Sequence, residues 1–152
     1  MDKIKFYNEG EENGFLSNFF MADMVVDTIR YPSVEHYYQS QKTEDPKQAE
    51  AIRTAPSCDE AKKLGNRPEL RLRADWDARK AAVMAEALRA KFTQNPELRE
   101  KLLATGEAVL MENSPRDYFW GIGADGSGKN MLGNLLAALR DSFKNKNTGG
   151  NL

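Results

Sequence analysis

The sequence predicts an α+β fold, mainly helical. A single domain over residues 1–145 carries a small sheet of short strands packed by helices, and 146–152 form a flexible C-terminal tail. Three observations carry this. A chain of 152 residues suits one domain with a real core. Its strand-like stretches are short, come in pairs and are separated by long helical stretches, unlike the strict alternation of a doubly wound sheet. Capping residues and prolines mark where the helices start and stop.

Lys3–Tyr7 alternates apolar and polar residues and reads as a first strand. A polar loop from Asn8 to Gly14 follows, then the apolar run Phe15–Phe20 broken by Ser17 and Asn18. Those two small polar residues form either a turn under the core or ligand contacts in a pocket wall. Met24–Val26 and Thr28–Tyr31 flank Asp27 as a short hairpin. Ser33 is a good N-cap and Pro32 stiffens the entry, so a helix of about three turns starts near Val34. Asp45-Pro46 opens a second helix that ends before Pro56. Ser57-Cys58-Asp59-Glu60 is a capping box for a third, closed by Gly65.

Asn66 to Ala74 is a basic connector with Arg67, Arg71 and Arg73. Asp75 is the expected N-cap of a long helix to about Gln94, with Val83, Met84, Ala87, Leu88 and Phe92 as its buried stripe. Asn95-Pro96 restarts a helix that Gly106 terminates, and Ala108–Met111 reads as a buried strand. Asn113–Gly123 puts three aromatics beside an acid and two glycines, a pattern suited to a pocket lip. Gly126 and Gly128 lie in a mobile loop, and Asn130 is the expected N-cap of a last helix, Met131 to about Phe143. No internal repeat is visible.

Composition removes several classes of function. Hydrophobic content of 40% and charged content of 30% describe a soluble globular protein. No apolar run approaches the roughly 18 residues of a membrane span, and no signal-peptide core opens the chain. The lone Cys58 excludes an intrachain disulfide and points to a reducing, cytoplasmic setting. One histidine and one cysteine leave no His/Cys zinc site and argue against Cys–His catalysis, so no metal and no cofactor is expected. Hydrolytic chemistry would then fall to carboxylates, lysine or bound water. A net charge of −1 gives no general reason to expect nucleic-acid affinity.

The richest stretch is Tyr31–Lys42. On a helix, Glu35, Tyr38, Gln39 and Lys42 share one face at i, i+3, i+4 and i+7. They are either a solvated charge pair or a carboxylate, an amide and an amine lined up for chemistry. The glycine-rich turn before Asn130 lacks the Gly-Lys-Ser/Thr of a phosphate loop. Backbone amides of Asn130 and Met131, with Lys129 nearby, could still hold a phosphate or ribose, or the segment is a surface turn. Arg67, Arg71 and Arg73 are a second candidate phosphate site, and Trp76 or Trp120 could stack on a base or sugar. Cys58 reads as an ordinary small residue.

Taken together, these motifs resemble the NADAR family of YbiA-like N-glycosidases. Phe15-Leu16-Ser17-Asn18-Phe19 and Tyr31–His36 with Gln39 and Lys42 carry the first half. Leu72-Arg73, Trp76, Met84, Leu88–Phe92 and Leu102–Thr105 carry the middle. Asp117, Trp120-Gly121, Gly128-Lys129-Asn130, Leu132-Gly133 and Leu139-Arg140 complete a match over about residues 4–143. The resemblance implies a YbiA-like fold and cleavage of an N-glycosidic bond to ribose. In one branch of the family the substrates resemble phosphorylated ribosylamino-pyrimidines early in riboflavin biosynthesis, whose removal limits damage. Another branch removes ADP-ribose from guanine bases.

Such a reaction builds positive charge at C1′, which a nearby carboxylate stabilises. Glu35 is the candidate, as acid/base or as electrostatic partner, with burial among Tyr and His rings raising its pKa. Lys42 either attacks C1′ of an opened ribosylamine to form a Schiff base or binds a phosphate or carboxylate. Asp117 could orient a ribose hydroxyl or assist proton transfer, and Trp120 and Trp76 could sandwich the base. Arg73 and Lys129 are the expected phosphate contacts, and His36 a packing and hydrogen-bonding neighbour. Ser17, Asn18, Gln39, Gly121 and Asn130 complete the expected substrate-binding set. The expected partner is a small phosphorylated ribosyl compound. The same chemistry on ADP-ribosylated guanine in nucleic acid is the rival, helped by a patch of Arg67, Arg71, Arg73 and Arg79. A module that binds ADP-ribose or NAD without turnover is the alternative from another class.

Overall fold

The structure, a computed structural model, describes residues 2–149. In chain order its elements are β1 (Lys3–Phe6), β2 (Met24–Val26), β3 (Ile29–Tyr31), α1 (Val34–Ser40), α2 (Pro46–Arg53), α3 (Cys58–Gly65), α4 (Trp76–Gln94), α5 (Pro96–Ala104), β4 (Val109–Glu112) and α6 (Met131–Gly149). The fold is α+β and mainly helical, and among the described residues the strands form two two-stranded sheets. The chain divides into two compact units: Asn18–Asn95, and the flanking segments 2–17 with 96–149.

In the first unit, β2 and β3 pair antiparallel, Met24 opposite Tyr31 and Val26 opposite Ile29. The tight turn between them puts Asp27 and Thr28 at φ 51° and 70°, the left-handed pair that matches the twist of a hairpin. Ser33 then caps α1 through its side chain, which accepts from the His36 amide. All seven residues of α1 are buried, so it is a central helix with no solvated face. It packs against α2, α3 and α4.

α1 is shorter than the sequence predicts. It stops at Ser40, about two turns in, and Lys42 lies beyond its end. The physical reason is a competing backbone partner. The Lys42 carbonyl accepts the Arg73 amide at 2.8 Å, and Thr43 bridges to Leu72, which draws the chain out of the helix toward the connector.

Of the other N-caps expected in this unit, two follow the expected chemistry and one does not. Asp45 accepts from the Lys47 and Gln48 amides, and Ser57 from the Glu60 amide. α4 does begin after Asp75, but that carboxylate takes the Arg73 guanidinium at 3.1 Å instead of capping the helix. The stripe of α4 is buried as predicted, and it also encloses Lys91, which is 0% exposed.

In the second unit, β1 and β4 pair in parallel from Lys3 opposite Val109 to Phe6 opposite Glu112. β4 is not the fully buried strand its composition suggested: Val109 is 37% exposed, whereas Leu110 is buried. One face of a two-stranded sheet stays open, so the strand alternates. α6 packs on β4 and α5 on α6. Gly133 permits that approach, because a Cβ there would fall 2.0 Å from the Leu110 carbonyl oxygen. α6 runs past Phe143 to Gly149, so the expected tail is helical as far as it is described, and its remainder, 150–152, lies outside the described residues. No described helix is long and apolar enough to cross a membrane.

Candidate active site

The chemistry-bearing part of the Asn18–Asn95 unit lies where α3 runs alongside α1. The Cys58 thiol, in the first turn of α3, donates to Ser33 Oγ at 3.3 Å, and Gly65 at the other end rests on Gln39. Between those contacts sits Glu35, 6% exposed. Its Oε2 accepts from Gln39 Nε2 at 2.7 Å, and its amide donates to the Asn18 carbonyl at 3.2 Å. Burial raises the Glu35 pKa, opposed by the Gln39 hydrogen bond and then by the fields of Lys62 and Lys42. A carboxyl group so placed can hold a proton at a pH where an exposed one has lost it.

Lys42 comes in from beyond the end of α1, near enough for its charge to act on Glu35. Its Nζ donates to Asn66 Oδ1 at 3.0 Å and to the Gly65 carbonyl at 3.4 Å, and lies 5.8 Å from the centre of the Tyr38 ring. Lys42 is 9% exposed, and burial lowers its pKa; Glu35 pulls it back up and Lys62 adds to the lowering. Desolvation thus pushes acid and amine toward their neutral forms, the forms that donate a proton and attack a carbon.

Neighbouring predicted residues take more structural positions. His36 is fully buried, with Nδ1 2.7 Å from Ser33 Oγ and Nε2 3.0 Å from the Ala55 carbonyl. A carbonyl only accepts, so Nε2 carries the proton and Nδ1 takes the Ser33 hydroxyl. Burial lowers the His36 pKa. Asn18 donates through Nδ2 to Met84 Sδ at 3.6 Å, and its buried Oδ1 has no hydrogen-bond partner among the described residues. Trp76 is 7% exposed and packs edge-on against Tyr38 at 5.1 Å, which leaves it little open face for a base. Arg73 holds Asp75 at 3.1 Å and Glu44 at 3.4 Å, so a phosphate there would compete with two carboxylates.

The remaining predicted residues belong to the other unit. Ser17 follows a short 3-10 turn, Gly14–Leu16, and is buried. Asp117 Oδ1 accepts from the Phe119 and Trp120 amides at 2.9 and 2.7 Å, which shapes the aromatic turn. Trp120 meets Phe119 edge-on at 4.7 Å, and Lys129 Nζ stands 5.8 Å from the centre of the Phe119 ring. The expected phosphate cradle at the start of α6 is corrected by its own hydrogen bonds. The amides of Asn130 and Met131 donate to the carbonyls of Gly121 and Phe119, both at 3.0 Å, so neither is free for an anion. The Asn130 side chain, lying against Gly133 of α6, bridges back to β4, taking the Glu112 amide at 2.9 Å and giving to the Leu110 carbonyl at 2.8 Å.

Sequence reasoning missed the α3 side of the site: Lys62, Gly65 and Asn66. Their spacing of three and four was a signal, since it aligns them on one face from Cys58 onward. That this face meets α1 is a tertiary fact no helical pattern carries.

Comparison with known proteins fits this architecture. A family model described as the NADAR domain matches residues 5–144. N-glycosidase YbiA of Escherichia coli (strain K12) is 44% identical over 140 residues, covering 92% of this chain and 88% of that protein. The riboflavin biosynthesis protein VVA0006 of Vibrio vulnificus (strain YJ016) is 40% identical over 141 residues, 93% of this chain but 38% of that longer protein. The NMR structure of the E. coli protein YbiA superposes with a TM-score of 0.89 at 41% identity, covering 97% of this chain and 88% of that one. By fold and relatives the chain is an N-glycosidase, a hydrolase of N-glycosyl compounds. It belongs to the NADAR family.

Proposed function

We propose that the substrate is a small phosphorylated ribosylamino-pyrimidine of the kind found early in riboflavin biosynthesis, cleaved between C1′ and the exocyclic nitrogen. The observation that carries the chemistry is the pairing of a carboxyl group and an amine that burial drives toward neutrality, Glu35 and Lys42. On the ring-opened form of such a ribosylamine, the neutral Lys42 amine attacks C1′ and forms a C1′–Nζ bond. Glu35 delivers a proton to the departing pyrimidine amine, and the C1′–N bond breaks. Water then adds to the lysine imine and releases the ribose phosphate, returning the amine and the proton.

A small metabolite suits a chain whose net charge is −1, since enzymes that grip nucleic acid display a basic face. The shared domain in a relative named for riboflavin biosynthesis supports the same reading. Mass spectrometry of the products tests it. Incubation with the phosphorylated ribosylamino-pyrimidine is expected to release free pyrimidine and ribose phosphate. Release of ADP-ribose and unmodified guanosine from ADP-ribosylated guanosine, with the pyrimidine riboside untouched, would transfer the reading to the other substrate class.

A further inference from the structure

The chemistry proposed for Lys42 needs more than a neutral amine, because the lone pair must also point at C1′. A neutral amine has two N–H groups and one lone pair, whereas an ammonium has three N–H groups. Lys42 Nζ meets two oxygen acceptors from the last turn of α3 and its cap, Asn66 Oδ1 at 3.0 Å and the Gly65 carbonyl at 3.4 Å. Two acceptors use both N–H groups of the neutral amine, and the lone pair is left along the remaining direction. The main chain fixes the root of the side chain as well, through the Lys42 amide on Gln39 and the Lys42 carbonyl under Arg73.

We propose that Asn66 is a positioning residue, whose side-chain oxygen, with the Gly65 carbonyl, aims the lone pair of the Lys42 amine. The amide is the right group for this task. A carboxylate at the same distance would bind the ammonium as a charge pair and hold the third proton on, whereas an uncharged carbonyl accepts an N–H without that bias. Asn66 itself is exposed at the C-cap of α3, so substitutions there leave the core intact. The proposal rests on Lys42 acting as the nucleophile of the reaction described above.

The test uses the full-length protein in two arms. In the first, no substrate is present. Lys42 is labelled with acetic anhydride across a pH series and quantified by peptide mass spectrometry in the parent protein, Asn66→Asp and Asn66→Ala. The Asn66→Asp labelling midpoint is expected to rise by about one pH unit or more, and the alkaline shift to recur in the pH profile of kcat/KM. In the second arm, Asn66→Ala is expected to lower kcat and the yield of borohydride-trapped Lys42 adduct about tenfold or more, with KM little changed. An unmoved midpoint in Asn66→Asp overturns the contact, and undiminished kcat in Asn66→Ala overturns the orienting role. A fully active Lys42→Ala protein, with the labelling shift intact, locates the failure in the nucleophile reading, because the labelling arm involves no turnover.

Discussion

Gly65 and Gln39 touch so closely that a Cβ at position 65 fits only if Gln39 moves. A Cβ built on Gly65 would lie 2.0 Å from Gln39 Oε1, 2.9 Å from its Cδ and 3.0 Å from its Cβ. Gln39 is 3% exposed, and its Oε1 finds no N–H or O–H partner among the described residues. The amide is therefore wedged, its oxygen against the Gly65 backbone and its Nε2 on Glu35. A helix–helix contact thus sets the aim of a hydrogen bond to the buried acid.

Gly65→Ala is accordingly expected to lower stability by about 1–3 kcal/mol, the usual cost of forcing a methyl group into a packed site. It is also expected to displace Gln39, whose hydrogen bond lowers the Glu35 pKa, so that pKa should climb further. Thermal melts and the acid limb of the kcat/KM profile check both parts. A variant that melts like the parent and keeps the same limb would show that α3 yields without moving Gln39.

How much of this was legible before any coordinates varies with the length scale. The caps at Ser33, Asp45 and Ser57 were readable because a side chain reaching two or three residues along is local chemistry. The end of α1 was not, since it depends on a backbone bond from Lys42 to Arg73, far along the chain. The Glu35–Gln39–Lys42 row was found from helical spacing, although Lys42 reaches its position from outside the helix. Asn130 looked like a cap by residue type and proved to be a bridge to β4, because its φ of 53° starts α6 without a conventional cap. Asn66 shares a face with Cys58 and Lys62 by its spacing, but nothing local to α3 says that this face meets α1.

Glu35→Gln keeps the shape of the side chain and removes the proton. Turnover is expected to fall by about 10²–10⁴, the usual worth of a positioned acid or base. Stability should move the other way. A carboxyl whose folded pKa is raised contributes stability that is present below its unfolded pKa and lost as pH rises through the folded value. The parent protein should therefore lose stability on going from acid toward neutral pH through that step, and Glu35→Gln should lack it. Melting curves of the two proteins from pH 4 to 8 make the comparison, and parallel curves would show that Glu35 ionises as an ordinary exposed acid does.

Lys62 acts on both reactive groups at once. It is exposed, its Nζ is 5.8 Å from the centre of the Phe19 ring, and its charge lowers the pKa of Glu35 and of Lys42. Lys62→Met is expected to raise both values, so the acid and alkaline limbs of the kcat/KM profile should move to higher pH together. Because the charge is exposed, the difference between variant and parent should shrink at about 1 M salt, where screening acts over about 3 Å. A profile that moves at one limb only, or is indifferent to salt, would exclude this through-space role.

Lys91 offers a last prediction, independent of the reaction. It is 0% exposed, with Nζ 5.6 Å from the centre of the Phe20 ring and 5.0 Å from that of Phe92. Burial lowers its pKa to about 7. The unfolded chain keeps its lysine protonated up to about pH 10.4, so between those values the unfolded state binds more protons and stability rises with pH. Lys91→Met retains the length of the stem and removes the amine. It is expected to melt higher than the parent at pH 7 and to close that gap as pH rises toward 9.5. A variant that melts lower than the parent at every pH would show that the contacts of the amine outweigh the cost of burying it.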